Sequence, residues 1–150
     1  MTAHPVLLEE MSWPEVAKLA KQKKTVLIPV GSIEQHGPHL PLNCDLTAAW
    51  EVSLRVARKI GAVVAPPIIP GVSTHHMPFP GTITLSPSTF IKVVKEYCAS
   101  ISRHGFKELV LVNGHGGNSA SLTITRRIVA IVSNLPIPQT ASLAPRAQKT

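Results

Sequence analysis

The sequence predicts an α/β fold, a mostly parallel sheet with helices wound on its faces, and three observations lead there. Short, largely apolar runs at residues 25–30, 62–65 and 108–113 show no polar alternation, the pattern of strands buried on both faces. Stretches of helical periodicity separate them, in the order helix, strand, helix, strand, helix, strand, helix. The loops that follow the strands are rich in glycine, proline and polar residues, and all leave the carboxyl edge of the sheet, where ligands bind in such folds.

Each element has its own local reason. Ser12-Trp13-Pro14-Glu15 is a capping box with proline in the first turn, so a helix runs from there to about Gln22. After the first buried strand comes the loop Gly31 to Asp45. Helical pattern resumes over residues 46–60, with Leu46, Ala49, Trp50, Ser53, Leu54, Ala57 and Ile60 on one face, and Gly61 ends it. Pro66 and Pro67 close the second strand. The loop 68–85 is long enough to be functional and too apolar to be disordered. Ser86 caps a helix that has Pro87 in its first position and runs to Arg103. Gly114-His115-Gly116-Gly117-Asn118 turns the third strand into a last helix, residues 119–132. Residues 1–133 form one α/β domain on this reading. Residues 134–150, rich in Pro, Ala, Ser, Gln and Thr with no strand pattern, form a disordered tail.

Composition narrows the function classes. Hydrophobic residues make up 44% of the 150 residues, enough for a core, while 15% charged residues is low for a free-standing domain. Either surface is hidden in a homo-oligomer or a piece of chain is missing. No apolar run approaches the ~20 residues of a membrane span. Residues 1–10 lack the basic-then-apolar layout of a signal peptide, so the chain is expected to be cytoplasmic, with no membrane partner. The net charge of +7 is spread over Lys18, Lys21, Lys23 and Lys24, then Lys92 and Lys95, then Arg126 and Arg127. No aromatic residue is interleaved with these groups, so a solvated basic surface is expected rather than a nucleic-acid partner. Two cysteines make no disulfide framework; Cys98 falls in a helical pattern as a core residue. Cys44 is set aside as a ligand, because it neighbours Asp45 on extended chain and points away from it.

The chemistry is concentrated in Gly31-Ser32-Ile33-Glu34-Gln35-His36-Gly37-Pro38-His39-Leu40-Pro41-Leu42-Asn43-Cys44-Asp45. Glu34 and His36 are two apart, so in extended backbone both point the same way. Asp45 is the sole aspartate of the chain, and a carboxylate there can bridge two metals ~3.5–4 Å apart. His115 lies between glycines, where backbone approaches closely. Carboxylate and imidazole together suit zinc, manganese or iron, and a divalent cation acidifies water and polarises an amide carbonyl. Each residue also has a bland reading. Asp45 would serve as the cap of the helix beginning at Leu46, Glu34 and His36 as solvated loop polars, and His115 as a turn residue. Four suitable side chains on one sheet edge outweigh these.

With these motifs go Gly71-Val72-Ser73 followed by His76, Phe79-Pro80-Gly81-Thr82, and Asn113-Gly114-His115-Gly116-Gly117-Asn118. In this order and spacing they resemble the creatininase, or creatinine amidohydrolase, family of metal-dependent amidohydrolases, over residues 26–131. The resemblance implies a three-layer α/β/α fold, a hexamer and a two-metal site. In it Glu34 and His115 would hold one metal, His36 the other, and Asp45 would bridge, with Ser73 and His76 near a small-molecule amide substrate. Zinc is the first expectation for the cation. The family opens cyclic amides such as creatinine, or hydrolyses formamides and peptide-like C–N bonds.

The departures from the family pattern shape a further expectation. Family members are usually longer. The glutamate that completes their second metal site lies two residues after the histidine of the third strand, here Gly117, or in a later segment, and no Asp or Glu follows Glu108. The family's catalytic histidine and substrate-gripping aromatics are missing too, so no catalytic acid–base residue is assigned. The chain is thus expected to be incomplete at its C-terminal end. It should bind one metal through Glu34, Asp45 and His115 and a second weakly, with low amidase activity unless a neighbouring subunit supplies the ligand. The alternative is an inactive or weakly active metal-binding or assembly paralogue. A dinucleotide fingerprint at residues 114–119 is the remaining rival, and it lacks the acidic residue expected ~20 positions later.

Overall fold

The computed structural model describes residues 6–125 and 139–142. Five strands form one parallel sheet in the order β1-β3-β2-β4-β5. These are β1 (Val6–Leu7), β2 (Val26–Val30), β3 (Val63–Val64), β4 (Leu109–Asn113) and β5 (Gln139–Ser142). The helices are α1 (Trp13–Lys21), α2 (Cys44–Ile60), α3 (Pro87–Arg103) and α4, helical over 119–125 of the described residues.

The alternation of β2 side chains assigns the layers. Val26, Ile28 and Val30 pack with Ala20 of α1, Phe90, Val94, Cys98 and Ile101 of α3, and Leu122 of α4. Leu27, with Val64 and Val112, packs on the opposite face against Ala57, Trp50 and Leu54 of α2. The result is the three-layer α/β/α arrangement, with every β2 residue buried. Burial pushes the Cys98 thiol up to about 12, so this cysteine serves as a small core residue.

The layering also places the functional crevice. β2 and β4 are neighbours, with Val30 level with Asn113. The chain leaving β2 turns to α2 on one face, and the chain leaving β4 turns to α4 on the other. Diverging connections open a crevice between the two strand ends, the topological switch point of a parallel sheet. Gly114 lines it: a Cβ there would strike the carbonyl oxygen of Asp45, so only glycine lets the first turn of α2 sit against the end of β4.

Most helix boundaries match the sequence expectation. The Ser12–Glu15 capping box is formed at α1, Ser86 caps α3 by accepting from the N–H of Thr89 at 3.3 Å, and Gly61 ends α2 in left-handed conformation, φ 67°. Two expectations are corrected. α2 begins at Cys44 with Asn43 in the cap position, so Asp45 lies inside the first turn and does not cap the helix. The sequence predicts disorder for residues 134–150, yet Gln139–Ser142 pairs in parallel with β4, Val110 to Asn113. The open backbone edge of β4 supplies the pairing, which the polar sequence Gln-Thr-Ala-Ser does not announce. The rest of that tail, and the end of the last helix at Val132, lie outside the described residues. β1, two residues long, is likewise absent from the sequence expectation. Among the described residues no helix is long and apolar enough to cross a membrane.

Candidate metal centre

Three loops meet at the crevice. The loop after β2 is folded back on itself by the Glu34 N–H donating to the Leu42 carbonyl at 3.0 Å, which brings Glu34 toward the start of α2. There Asp45 meets it, and His115 arrives two residues beyond β4. One ligand atom from each of Glu34, Asp45 and His115 lies within 4.8 Å of the others. Glu34 and His115 are 5% and 6% exposed, so the cluster is built into the protein, unlike a solvated group of surface acids.

Hydrogen bonding behind the cluster determines what faces its centre. His115 Nε2 lies 2.9 Å from the Val72 carbonyl oxygen. A carbonyl only accepts, so Nε2 carries the hydrogen and Nδ1 is the atom turned inward. Nδ1 stands 2.8 Å from Asp45 Oδ2 and 3.2 Å from Glu34 Oε1. The short approach to Oδ2 is not an aligned hydrogen bond, and Oδ2 is buried with no such partner among the described residues. Three electron-rich atoms are thus packed around one point, an arrangement that becomes favourable when positive charge sits between them. Burial alone pulls the His115 pKa down, but the Asp45 contact, the Val72 carbonyl and the Glu34 charge outweigh it and raise it. Burial likewise pushes Asp45 up, and the two histidines beside it, His115 and His36, bring it below its usual value. Two carboxylates and an imidazole nitrogen, buried and convergent, fit a divalent cation of the zinc, manganese or iron type.

His36 occupies the other side of Asp45. Its Nδ1–H donates to the Glu34 backbone carbonyl at 3.1 Å, and its Nε2 faces Asp45 Oδ1 at 3.1 Å. Asp45 therefore presents one oxygen to His115 and the other to His36, the placement of a bridging carboxylate. His36 is not part of the tight three-residue group. Gly117 sits close beside His115, and a Cβ there would strike both the Val72 carbonyl oxygen and His115 Nε2.

Ser73 and His76 fall in different surroundings. Ser73 is fully buried behind the imidazole, its hydroxyl 3.2 Å from His115 Nε2 and bonded to the hydroxyl of Ser32. His76, on a single helical turn over Thr74–His76, is half-buried at the rim. Gln35 orients it: the Gln35 Oε1 accepts from the Gly37 N–H at 2.8 Å, so its Nε2–H donates to His76 Nδ1 at 3.0 Å. His76 Nε2 then carries the hydrogen and faces Glu34 Oε1 at 3.6 Å.

Sequence reasoning passes over the polar residues that hold the ligands. Asn113 clamps the His115 backbone from both sides, its Nδ2–H donating to the His115 carbonyl at 2.8 Å and its Oδ1 accepting from the His115 N–H at 3.2 Å. Asn118 is fully buried. Its Oδ1 accepts from the Val72 N–H at 2.8 Å, and its Nδ2–H donates to the Gly31 carbonyl at 2.9 Å. Both asparagines stand at the ends of the motif around His115, and their place among glycines next to a strand is the available signal.

Comparison with known proteins points to one family. The family model described as creatininase, creatinine amidohydrolase, matches residues 9–141. The chain is 45% identical over 103 residues to the mycofactocin precursor peptide peptidase of Mycolicibacterium smegmatis, covering 65% of this chain and 41% of that protein. It is 37% identical over 120 residues to the creatinine amidohydrolase of Pseudomonas putida, covering 76% of this chain and 46% of that one. The chain thus spans less than half the length of these two relatives. Among solved structures, a manganese creatininase superposes with a TM-score of 0.83 at 29% identity, covering 93% of this chain and 58% of that one. A creatininase mutant of Zn–Zn type superposes with 0.82 at 30% identity, covering 95% and 58%. The matched region contains both ligand loops and all of the central strands, and on that ground the chain belongs to the creatininase family.

Proposed function

We propose that this chain carries the metal-binding half of an amidohydrolase that breaks a C–N bond of a cyclic amide, a formamide or a peptide-like substrate. The observation that carries the proposal is Asp45, whose two oxygens face two histidines while Glu34 shares the His115 side. Glu34, Asp45 and His115 would hold the first cation, and Asp45 with His36 the second. Zinc is the proposed cation, with manganese or iron as alternatives; the metal forms among the structural neighbours support this choice. A divalent cation in this position supplies Lewis acidity, lowering the pKa of water and polarising an amide carbonyl.

The chain's own residues supply the rest. The Val72 carbonyl and Asn113 hold His115 in one tautomer and orientation, and the Glu34 carbonyl does the same for His36. His76 presents an N–H beside Glu34 at the open rim, positioned to donate to a substrate oxygen. Ser73 acts from behind His115. The second cation has few protein donors: Gly117 carries none, and no carboxylate follows Glu108 in the sequence. It should be held weakly by this chain. The names of the two relatives, an amidohydrolase and a peptidase, support amide hydrolysis as the shared chemistry. Assembly into a homo-oligomer is part of the proposal, supported by the exposed apolar side chains Leu40, Met77, Phe79 and Ile83 on the loops beside the site. The free thiols Cys44 and Cys98 fit the reducing cytoplasm.

Zinc titration by calorimetry, followed by hydrolysis assays on creatinine, a formamide and a short peptide, tests the reading. One tight site per chain and a weaker second, with hydrolysis that depends on added metal, is the expected result. A chain that takes up no divalent cation would refute it.

A further inference from the structure

We propose that Asn118 is a positioning residue that sets the tautomer of His115, acting through the backbone of Val72. The consequence for cation affinity rests on the metal-site reading above; the tautomer itself does not.

His115 has a choice of partner behind its ring. Its Nε2 has two oxygen neighbours, the Ser73 hydroxyl at 3.2 Å and the Val72 carbonyl at 2.9 Å. A hydroxyl donates or accepts and so tolerates either tautomer. The carbonyl accepts only, and of these two neighbours it alone requires the hydrogen on Nε2, against the Asp45 and Glu34 carboxylates that face Nδ1. The tautomer therefore depends on where the Val72 peptide is held, and Val72 lies in the long loop after β3, outside any helix or strand.

Asn118 holds it. The Asn118 amide spans two loops, accepting from the Val72 N–H and donating to the Gly31 carbonyl. The orientation of the amide is not free, since the peptide N–H demands an acceptor and the carbonyl a donor. A third contact, Nδ2 to Asn113 Oδ1 at 3.3 Å, has the same polarity. The connection thus runs from Gly31, at the end of β2, through Asn118 to Val72, and from the Val72 carbonyl to the ring of His115. Side chains that orient ligands in this way are worth ~10–100-fold in metal affinity. Asn118 itself touches none of Glu34, Asp45 or the His115 ring in any hydrogen bond described.

The test uses the full chain. Long-range proton–nitrogen correlation spectra of the metal-free protein, recorded at alkaline pH where the ring is neutral, report which nitrogen of His115 carries hydrogen. Zinc calorimetry on the same samples reports affinity. The unsubstituted chain should show Nε2–H. Asn118→Leu, which removes all three bonds, should give a mixture of tautomers and weaken zinc ~10–100-fold. Asn118→Asp keeps an acceptor for the Val72 N–H and should keep the Nε2–H signature even where it melts lower, whereas a merely structural role would not separate the aspartate from the leucine variant. Should Asn118→Leu fail to fold, Gly71→Ala serves instead: its Cβ would stand 2.6 Å from both Asn118 Oδ1 and the Gly31 carbonyl oxygen, so it disturbs the bridge that Asn118 makes between the two loops. A folded Asn118→Leu or Gly71→Ala chain that retains Nε2–H and full affinity overturns the inference, as does Nδ1–H in the unsubstituted chain. Absence of zinc binding in the unsubstituted chain would refute the metal site, and the spectra would still decide the role of Asn118.

Discussion

The two ends of the sheet are built on opposite principles. At the amino end polar groups find their complements: the Thr25 hydroxyl donates to Glu108 at 2.6 Å, and the Val26 N–H to the Glu108 carbonyl at 2.9 Å. The interior between the ends is apolar, with Phe90, Phe106 and Leu111 fully buried. At the carboxyl end acceptors are gathered without enough donors. Asp45 Oδ2 is buried and unpartnered among the described residues, against a ring nitrogen whose own hydrogen is on the far side. The contrast teaches where the molecule is optimised for stability and where for function. A crowd of buried acceptors is unfavourable by itself and persists because a rigid sheet, closed at its other end, holds the loops in place.

The comparison can be broken most severely in the shared interior. Phe90→Ala removes a fully buried ring and should destabilise the fold by ~3–5 kcal/mol. Thermal unfolding should show this as a large fall in melting temperature, and a wild-type melting curve would show that the core has been misidentified. At the carboxyl end Glu34→Gln preserves shape and removes charge. It should weaken the first cation by about 100-fold, or ~2.7 kcal/mol, while the metal-free melting temperature barely moves; calorimetry and melting on one sample read both. Equal losses in both would mean that Glu34 is structural. His36→Ala sharpens the picture within the site, lowering affinity for the second cation by ~10-fold or more, on the ~1.4 kcal/mol per tenfold scale, and leaving the first site intact. A loss of the first site in that variant would contradict the division of Asp45 between two partners. The smallest effect belongs to the amino end, where Thr25→Val should lower stability by about 1 kcal/mol, the net worth of one hydrogen bond, with no change in zinc stoichiometry.

The central fold is legible because burial leaves a mark on sequence. β2 and β4 must be apolar on both faces, α1 and α3 carry their N-terminal caps in plain view, and all three helices show their periodicity. β1 and β5 are not legible, since they contain two and four residues and owe their conformation to a neighbouring strand that already exists. Glu34, Asp45 and His115 can be found because ligand-type side chains cluster after strands of one sheet. His36 is found with them, and the structure shows it on the far oxygen of Asp45 rather than inside the group of three. What cannot be read is the support. The acceptor that decides the His115 tautomer is the carbonyl of Val72, and a backbone atom has no letter of its own. Asn118 reads as a turn residue among glycines until the loops that it joins are seen together.

The most direct test of the metal centre is a crystal of the full chain grown with zinc and measured at the zinc absorption edge. The predicted result is an anomalous peak bounded by Glu34, Asp45 Oδ2 and His115 Nδ1, at the ~2.0–2.1 Å from the ring nitrogen usual for zinc, with Nε2 still bonded to the Val72 carbonyl. A peak elsewhere on the molecule, or a His115 that binds through Nε2 with its bond to Val72 broken, would contradict it.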